Sequence, residues 1–203
     1  FRRVLFRSKS QLSAHYTLAN LTQTSKPVST PNLPSSSEHF NNLKLLADAL
    51  EYLDSKIGPF NIMSGYRTKE LQNLLKSAGE PVATGTSFHE LGLGVDIYPT
   101  TMKIAEYFGK ILADPIITSR FVEIAIKPSQ NTLHLSVRNP NETRATRITQ
   151  LNPQGSYVGL SKAQIDSYAA PYRTTASTAS GKGGIGPLAI GAAIAGGLAL
   201  MLV

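Results

Sequence analysis

The chain has 203 residues, 41% of them apolar, and a formal charge of +7, enough for one domain with a buried core plus tails. It has no cysteine, which excludes disulfides, thiolate-bound metals and cysteine nucleophiles, so a metal could sit only on His, Asp or Glu, with four histidines on offer. Arg2, Arg3 and Arg7 lie in the opening "FRRVLFRS", which reads as an appended stretch; setting them aside takes +7 to +4. The remaining basic residues are not interleaved with aromatics as a single-strand binding surface requires, so no nucleic-acid partner is expected.

Residues 1–14 carry no readable pattern and are expected to be unstructured or artefactual. From His15 to Ser37 the chain is rich in Ser, Thr, Asn and Pro, with "HYTLANLTQT" expected on a domain surface. In "FNNLKLLADALEYLDSKI", Leu43, Leu46, Ala47, Leu50 and Leu53 recur at helical spacing, and Gly58-Pro59 closes the segment. "FNIMSGYR" predicts a short strand and a turn, and "TKELQNLLKSAG" a second helix ending at Gly79. "GVDIYP" predicts a strand stopped by Pro99, and "TMKIAEYFGKILAD" a third helix. "RFVEIAIK" and "TLHLSV" alternate apolar and polar residues around Pro128-Ser129-Gln130-Asn131, a hairpin signature. Helices among short strands predict a small α+β domain over residues 15–165, an antiparallel sheet with flanking helices.

A flexible linker is expected over 166–182, where "TTASTASGKGG" lies. Residues 183–203, "GGIGPLAIGAAIAGGLALMLV", carry no charge, and at ~1.5 Å per residue a helix of this length crosses a hydrocarbon core of about 30 Å. Gly191 with Ala195 and Ala192 with Gly196 have the spacing of closely packed transmembrane helices, so a membrane anchor is expected. A Gly/Ala-rich tail that docks on the domain or stays disordered is the alternative.

The chemistry concentrates in "SFHELGLGVDIYP". Alternation puts Asp96 on the exposed side of its strand, with Val95 and Ile97 facing the core, and Gly92 and Gly94 allow a tight path bringing His89 back towards it. In the hairpin, His134 is the polar member of its strand. A loop at 128–131 pairs Lys127 with Thr132, Ala125 with His134 and Glu123 with Ser136, so Glu123 lies diagonal to His134 at about 7–8 Å. Two histidines and a carboxylate form a three-ligand set for catalytic zinc, with a fourth position open. On spacing alone, a structural histidine and a turn-capping aspartate are the commoner reading. His15 and His39 sit in polar, loop-like sequence and are expected at the surface.

With these residues in view, the chain resembles the M15 peptidases, zinc D-alanyl-D-alanine carboxypeptidases and L-alanyl-D-glutamate endopeptidases that cut peptidoglycan stem peptides. "SGYRTKELQNLL" resembles the family's substrate-arginine motif. "SFHELGLGVDI" resembles Ser-x-His-x-x-Gly-x-Ala-x-Asp, with Gly94 in the alanine position, and "TLHLSV" resembles the strand of the last ligand. The resemblance covers about residues 15–160 and implies an M15/hedgehog-like fold with Zn2+ on His89, Asp96 and His134. It further implies that Arg67 steadies a substrate carboxylate or oxyanion and that Ser87 helps to position the site. Where many members carry a general-base glutamate this chain has Asn131, and where the closest branch has one it has Lys127. Glu123 is then the candidate base; an exposed strand residue paired with Lys127 is its alternative, and Glu90 is a weaker candidate. The expected function is a phage, viral or bacterial cell-wall lytic peptidase tethered through its C-terminus, its partner the peptidoglycan stem peptide. Hedgehog domains keep such a metal site without peptidase activity, so a peptidoglycan-binding or virion structural protein is the alternative.

Overall fold

The computed structural model describes residues 9–80, 82 and 85–173. Its elements are α1 (Leu18–Thr22), α2 (Ser37–Ile57), β1 (Phe60–Ser64), α3 (Lys69–Ser77), β2 (Gly94–Pro99), α4 (Ile104–Ala113), α5 (Pro115–Ser119), β3 (Phe121–Lys127), β4 (Thr132–Val137), β5 (Arg147–Leu151), β6 (Tyr157–Gly159) and α6 (Lys162–Ala169). The domain is α+β. Its six strands form one sheet in the order β1-β2-β4-β3-β5-β6, antiparallel throughout except for the parallel β3–β5 pair.

Local chemistry explains the main elements. The Ser36 hydroxyl caps α2 by accepting the His39 N–H at 3.1 Å, and Leu43, Leu46, Leu50 and Leu53 are fully buried along one face. Each contributes roughly 1.5–3 kcal/mol of apolar burial, so α2 is held by packing on the sheet more than by intrinsic propensity. The β3–β4 hairpin turns through a 3-10 segment, Pro128–Gln130, into Asn131 at φ 52°. Asparagine tolerates that left-handed conformation better than glutamate does, which gives Asn131 a turn role. Across the hairpin Lys127 faces Thr132, Ala125 faces His134 and Glu123 faces Ser136, the register that alternation predicts.

Several expectations are corrected. "HYTLANLTQT" lies at the surface with His15, Ala19, Asn20, Gln23 and Thr24 exposed, but Leu18 and Leu21 of α1 are fully buried in the core. Order begins before residue 15, because Gln11 bridges to Thr17 and Leu12 is buried. The segment 166–173 is not linker. It completes α6 and a 3-10 turn, Ala170–Tyr172, with Ala169 fully buried and the Tyr168 ring edge-on to Phe108 of α4 at 4.9 Å. The rest of the expected linker, the expected anchor at 183–203 and residues 1–8 lie outside the described residues. Among the described residues no helix is long and apolar enough to cross a membrane.

Candidate metal centre

The site is a row across the middle of the sheet. Asp96 of β2 lies opposite His134 of β4, with Ser64 of β1 on its other side, and Ala125 of β3 beyond His134. Direct cross-strand partners bring their side chains together without help from loops. Asp96 was expected on an exposed face. It is 4% exposed, because β2 is an interior strand and its polar side is the floor of a cavity of about 390 Å3.

His89 reaches this row from the turn between Ser87 and Gly94. Its N–H donates to the Ser87 hydroxyl at 3.2 Å, and the Ser87 N–H donates to Glu90 at 3.1 Å. Ser87 thus shapes the turn at the cavity wall, while Glu90 is turned back onto it and towards Lys69. The His89 carbonyl accepts the Arg67 N–H, so the two motif segments are locked together. Gly94 has no room for a side chain: a Cβ would stand 2.8 Å from the His89 nitrogen and 2.9 Å from the Phe88 carbonyl carbon. The glycine at position 94 is therefore what lets this turn close so tightly.

The ring of His89 is oriented by its own hydrogen bond. Its Nδ1 lies 2.7 Å from the Gly65 carbonyl, which can only accept, so Nδ1 carries the proton. Gly65 can approach because a Cβ there would collide with the Leu21 carbonyl. Burial holds the His89 imidazole well below its ordinary pKa, so Nε2 keeps a free lone pair. That lone pair faces Asp96 Oδ2 at 3.5 Å, an acceptor against an acceptor, which is a fit for a cation between them.

His134 lies on the other oxygen, its Nδ1 3.0 Å from Asp96 Oδ1 and its Nε2 2.9 Å from the Ser136 hydroxyl. The carboxylate can only accept, so Nδ1 donates to it, and Nε2 shares the second hydrogen bond with the Ser136 hydroxyl. The rings of His89 and His134 are 4.9 Å apart. One ligand atom from each of His89, Asp96 and His134 falls within 4.8 Å of the others, close enough to hold a metal ion. Burial alone would push the Asp96 carboxyl up, but the hydrogen bond from His134 and the charge of Lys127 outweigh it and keep it well below the usual carboxylate range.

Arg67 donates from Nη2 to Asp96 Oδ2 at 2.8 Å and from Nε to the Ser64 hydroxyl at 2.9 Å. Buried Asn32 supports it, donating to the Thr22 and Tyr66 carbonyls and accepting the Thr68 N–H, each at 2.8 Å. Glu123 also lines the cavity. It is buried, and its partner is Arg147 of β5, not Lys127, because the parallel β3–β5 register sets Glu123 beside Arg147. Lys127 instead donates to Asp96 Oδ1 at 2.8 Å, and Tyr157, whose phenol is pushed up by burial, lines the same cavity. Sequence reasoning missed Asn32, Arg147 and Tyr157 and the role of Lys127, since all four depend on pairings between distant segments. His15 is exposed, as expected, whereas His39 is half-buried against the Tyr66 hydroxyl at 3.2 Å.

The fold and site thus define an α+β domain with a buried His-Asp-His cluster able to hold a metal at the floor of a cavity. No protein-family model, curated protein or solved structure matches the chain.

Proposed function

We propose that the chain is a zinc-dependent peptidase of the M15 kind, with an M15/hedgehog-like fold, that cleaves peptidoglycan stem peptides. One observation carries this: the three segments with M15-like motifs, far apart in sequence, meet in one cavity through Arg67, His89, Asp96 and His134. Two imidazoles and a carboxylate suit zinc. Held there, zinc supplies Lewis-acid polarisation of a peptide carbonyl.

The chain's own residues would do the rest. Arg67, fixed by Ser64 and Asp96, has further N–H groups for a substrate carboxylate or a developing oxyanion. Glu123 and Asp96 are the carboxylates of the cavity among the described residues, and Asp96 is committed to His134, Lys127 and Arg67. Glu123 is therefore the group left to move a proton, once Arg147 yields it. Arg67, Lys127 and Arg147 outnumber the two carboxylates, which suits a substrate bearing carboxylates, as stem peptides do. Residues 183–203 would tether the domain to a virion or bacterial envelope membrane, facing the wall. In the test, the full chain is loaded with zinc and incubated with purified stem peptides, and new amines and fragment masses are followed with and without a chelator. Chelator-sensitive cleavage is expected, the masses naming D-Ala-D-Ala or L-Ala-D-Glu as the bond; no cleavage by folded, zinc-loaded protein would refute the peptidase.

A second reading has its own observation. Lys127, at a position where the M15 branch that the chain resembles carries a base, stands on Asp96, and Glu123 is tied to Arg147. On that reading the domain binds peptidoglycan, or serves in a virion, without turnover. Peptidoglycan would then retain the protein while cleavage stays at background, and Glu123→Gln would change neither.

A further inference from the structure

Lys127 is the feature of the cavity that a metal site does not require. Its side chain is 9% exposed and comes from the site face of β3, and its Nζ donates to Asp96 Oδ1 at 2.8 Å. Arg67 donates to the other oxygen, also at 2.8 Å, and His134 shares Oδ1 with Lys127 at 3.0 Å. Both oxygens of the one carboxylate in the cluster are therefore already engaged by cations. A divalent ion bound by His89, Asp96 and His134 would share that carboxylate with a buried ammonium, whichever oxygen it took. In a poorly solvated cavity that repulsion is strong, because little water screens it.

The two cations are not equivalent. Arg67 is anchored on a second side by the Ser64 hydroxyl and by the backbone bond to His89. Lys127 has a flexible four-carbon stem, and Asp96 is its one side-chain hydrogen-bond partner among the described residues. Lys127 is thus the cation better able to give way.

We propose that Lys127 is a built-in counter-cation of the metal site. It holds Asp96 in place when the site carries no metal, and it weakens divalent-cation binding so that loading is reversible. This rests on the metal-site half of the proposed function and is independent of whether the protein turns over a substrate. The sign of its effect separates it from a structural role: removing a residue that merely supports a site weakens metal binding, whereas removing a competing cation tightens it.

The test compares full-length wild type, Lys127→Met and Lys127→Gln by titration with zinc against a chromophoric chelator, together with melting of the metal-free proteins. Lys127→Gln keeps a donor for Asp96 without the charge, so it serves if Lys127→Met does not fold. The expected result is zinc binding at least about tenfold tighter in a neutral variant, with a lower melting temperature for its metal-free form. Equal or weaker zinc binding by a folded neutral variant overturns the counter-cation while leaving the metal site standing. If neither wild type nor variant binds zinc, the metal site and this role fall together.

Discussion

Two of the histidine–carboxylate contacts in this molecule use the same kinds of atoms and shift the histidine in opposite directions. At the surface His15 Nδ1 lies 2.7 Å from Glu51, with the histidine side chain 79% exposed, and the hydrogen bond and charge of Glu51 raise its pKa. In the sheet His89 lies 3.5 Å from Asp96, and burial pushes its pKa well down despite the carboxylate. A carboxylate neighbour alone favours the charged form of a histidine. Burial, together with a carbonyl that claims the Nδ1 proton, leaves it neutral with Nε2 free to bind a metal.

The sharpest way to break this contrast is Asp96→Ala. It strands Lys127 and Arg67 as buried cations, so a loss of about 3–5 kcal/mol is expected in urea denaturation, together with loss of zinc binding. A cost well below that would mean that the cations relax into water and that the cluster is not a tightly held unit. Glu51→Gln, at the surface pair, should leave zinc binding untouched.

Gly94→Ala comes next. With no space for its methyl group, the turn carrying His89 must shift, at a cost of about 1–3 kcal/mol and with weaker zinc binding; unaltered zinc affinity would show that the turn has slack.

The pH dependence of stability should differ in sign between the two histidines. His89 has a folded pKa below 6.5, so its contribution is complete above 6.5 and is lost as pH falls from there towards its lowered pKa. His15 has a raised pKa, so its contribution is complete below 6.5 and is lost as pH rises through that raised value. Denaturation of the metal-free protein between about pH 5 and 8 should therefore show more acid destabilisation in His15→Gln than in wild type. The reverse ordering would undo the contrast. The His15 effect is the smallest of the set, because the pair is in water.

Much of the site was legible because it follows period-two alternation. The hairpin register, the polar placement of His134 and the inward Val95 and Ile97 all come from it. What alternation could not give was which strands become interior. Asp96 is buried because β2 sits between β1 and β4, and Glu123 meets Arg147 because β5 joins β3 in parallel. Both pairings join segments far apart in the chain, and no local pattern marks them. The same holds for Lys127, whose expected partner was Glu123 and whose actual partner is Asp96, brought over from β2. Composition misjudged residues 166–173 for a different reason: Tyr168 and Ala169 have a surface on α4 to cover.

The most direct measurement is a crystal structure of the protein grown with zinc, with the metal located by its anomalous scattering. One strong peak is expected between His89, Asp96 and His134, with Nδ1 of His89 still on the Gly65 carbonyl and Lys127 moved off Asp96. A peak at the His15–Glu51 pair with none at the sheet, from zinc-saturated protein, would contradict the account.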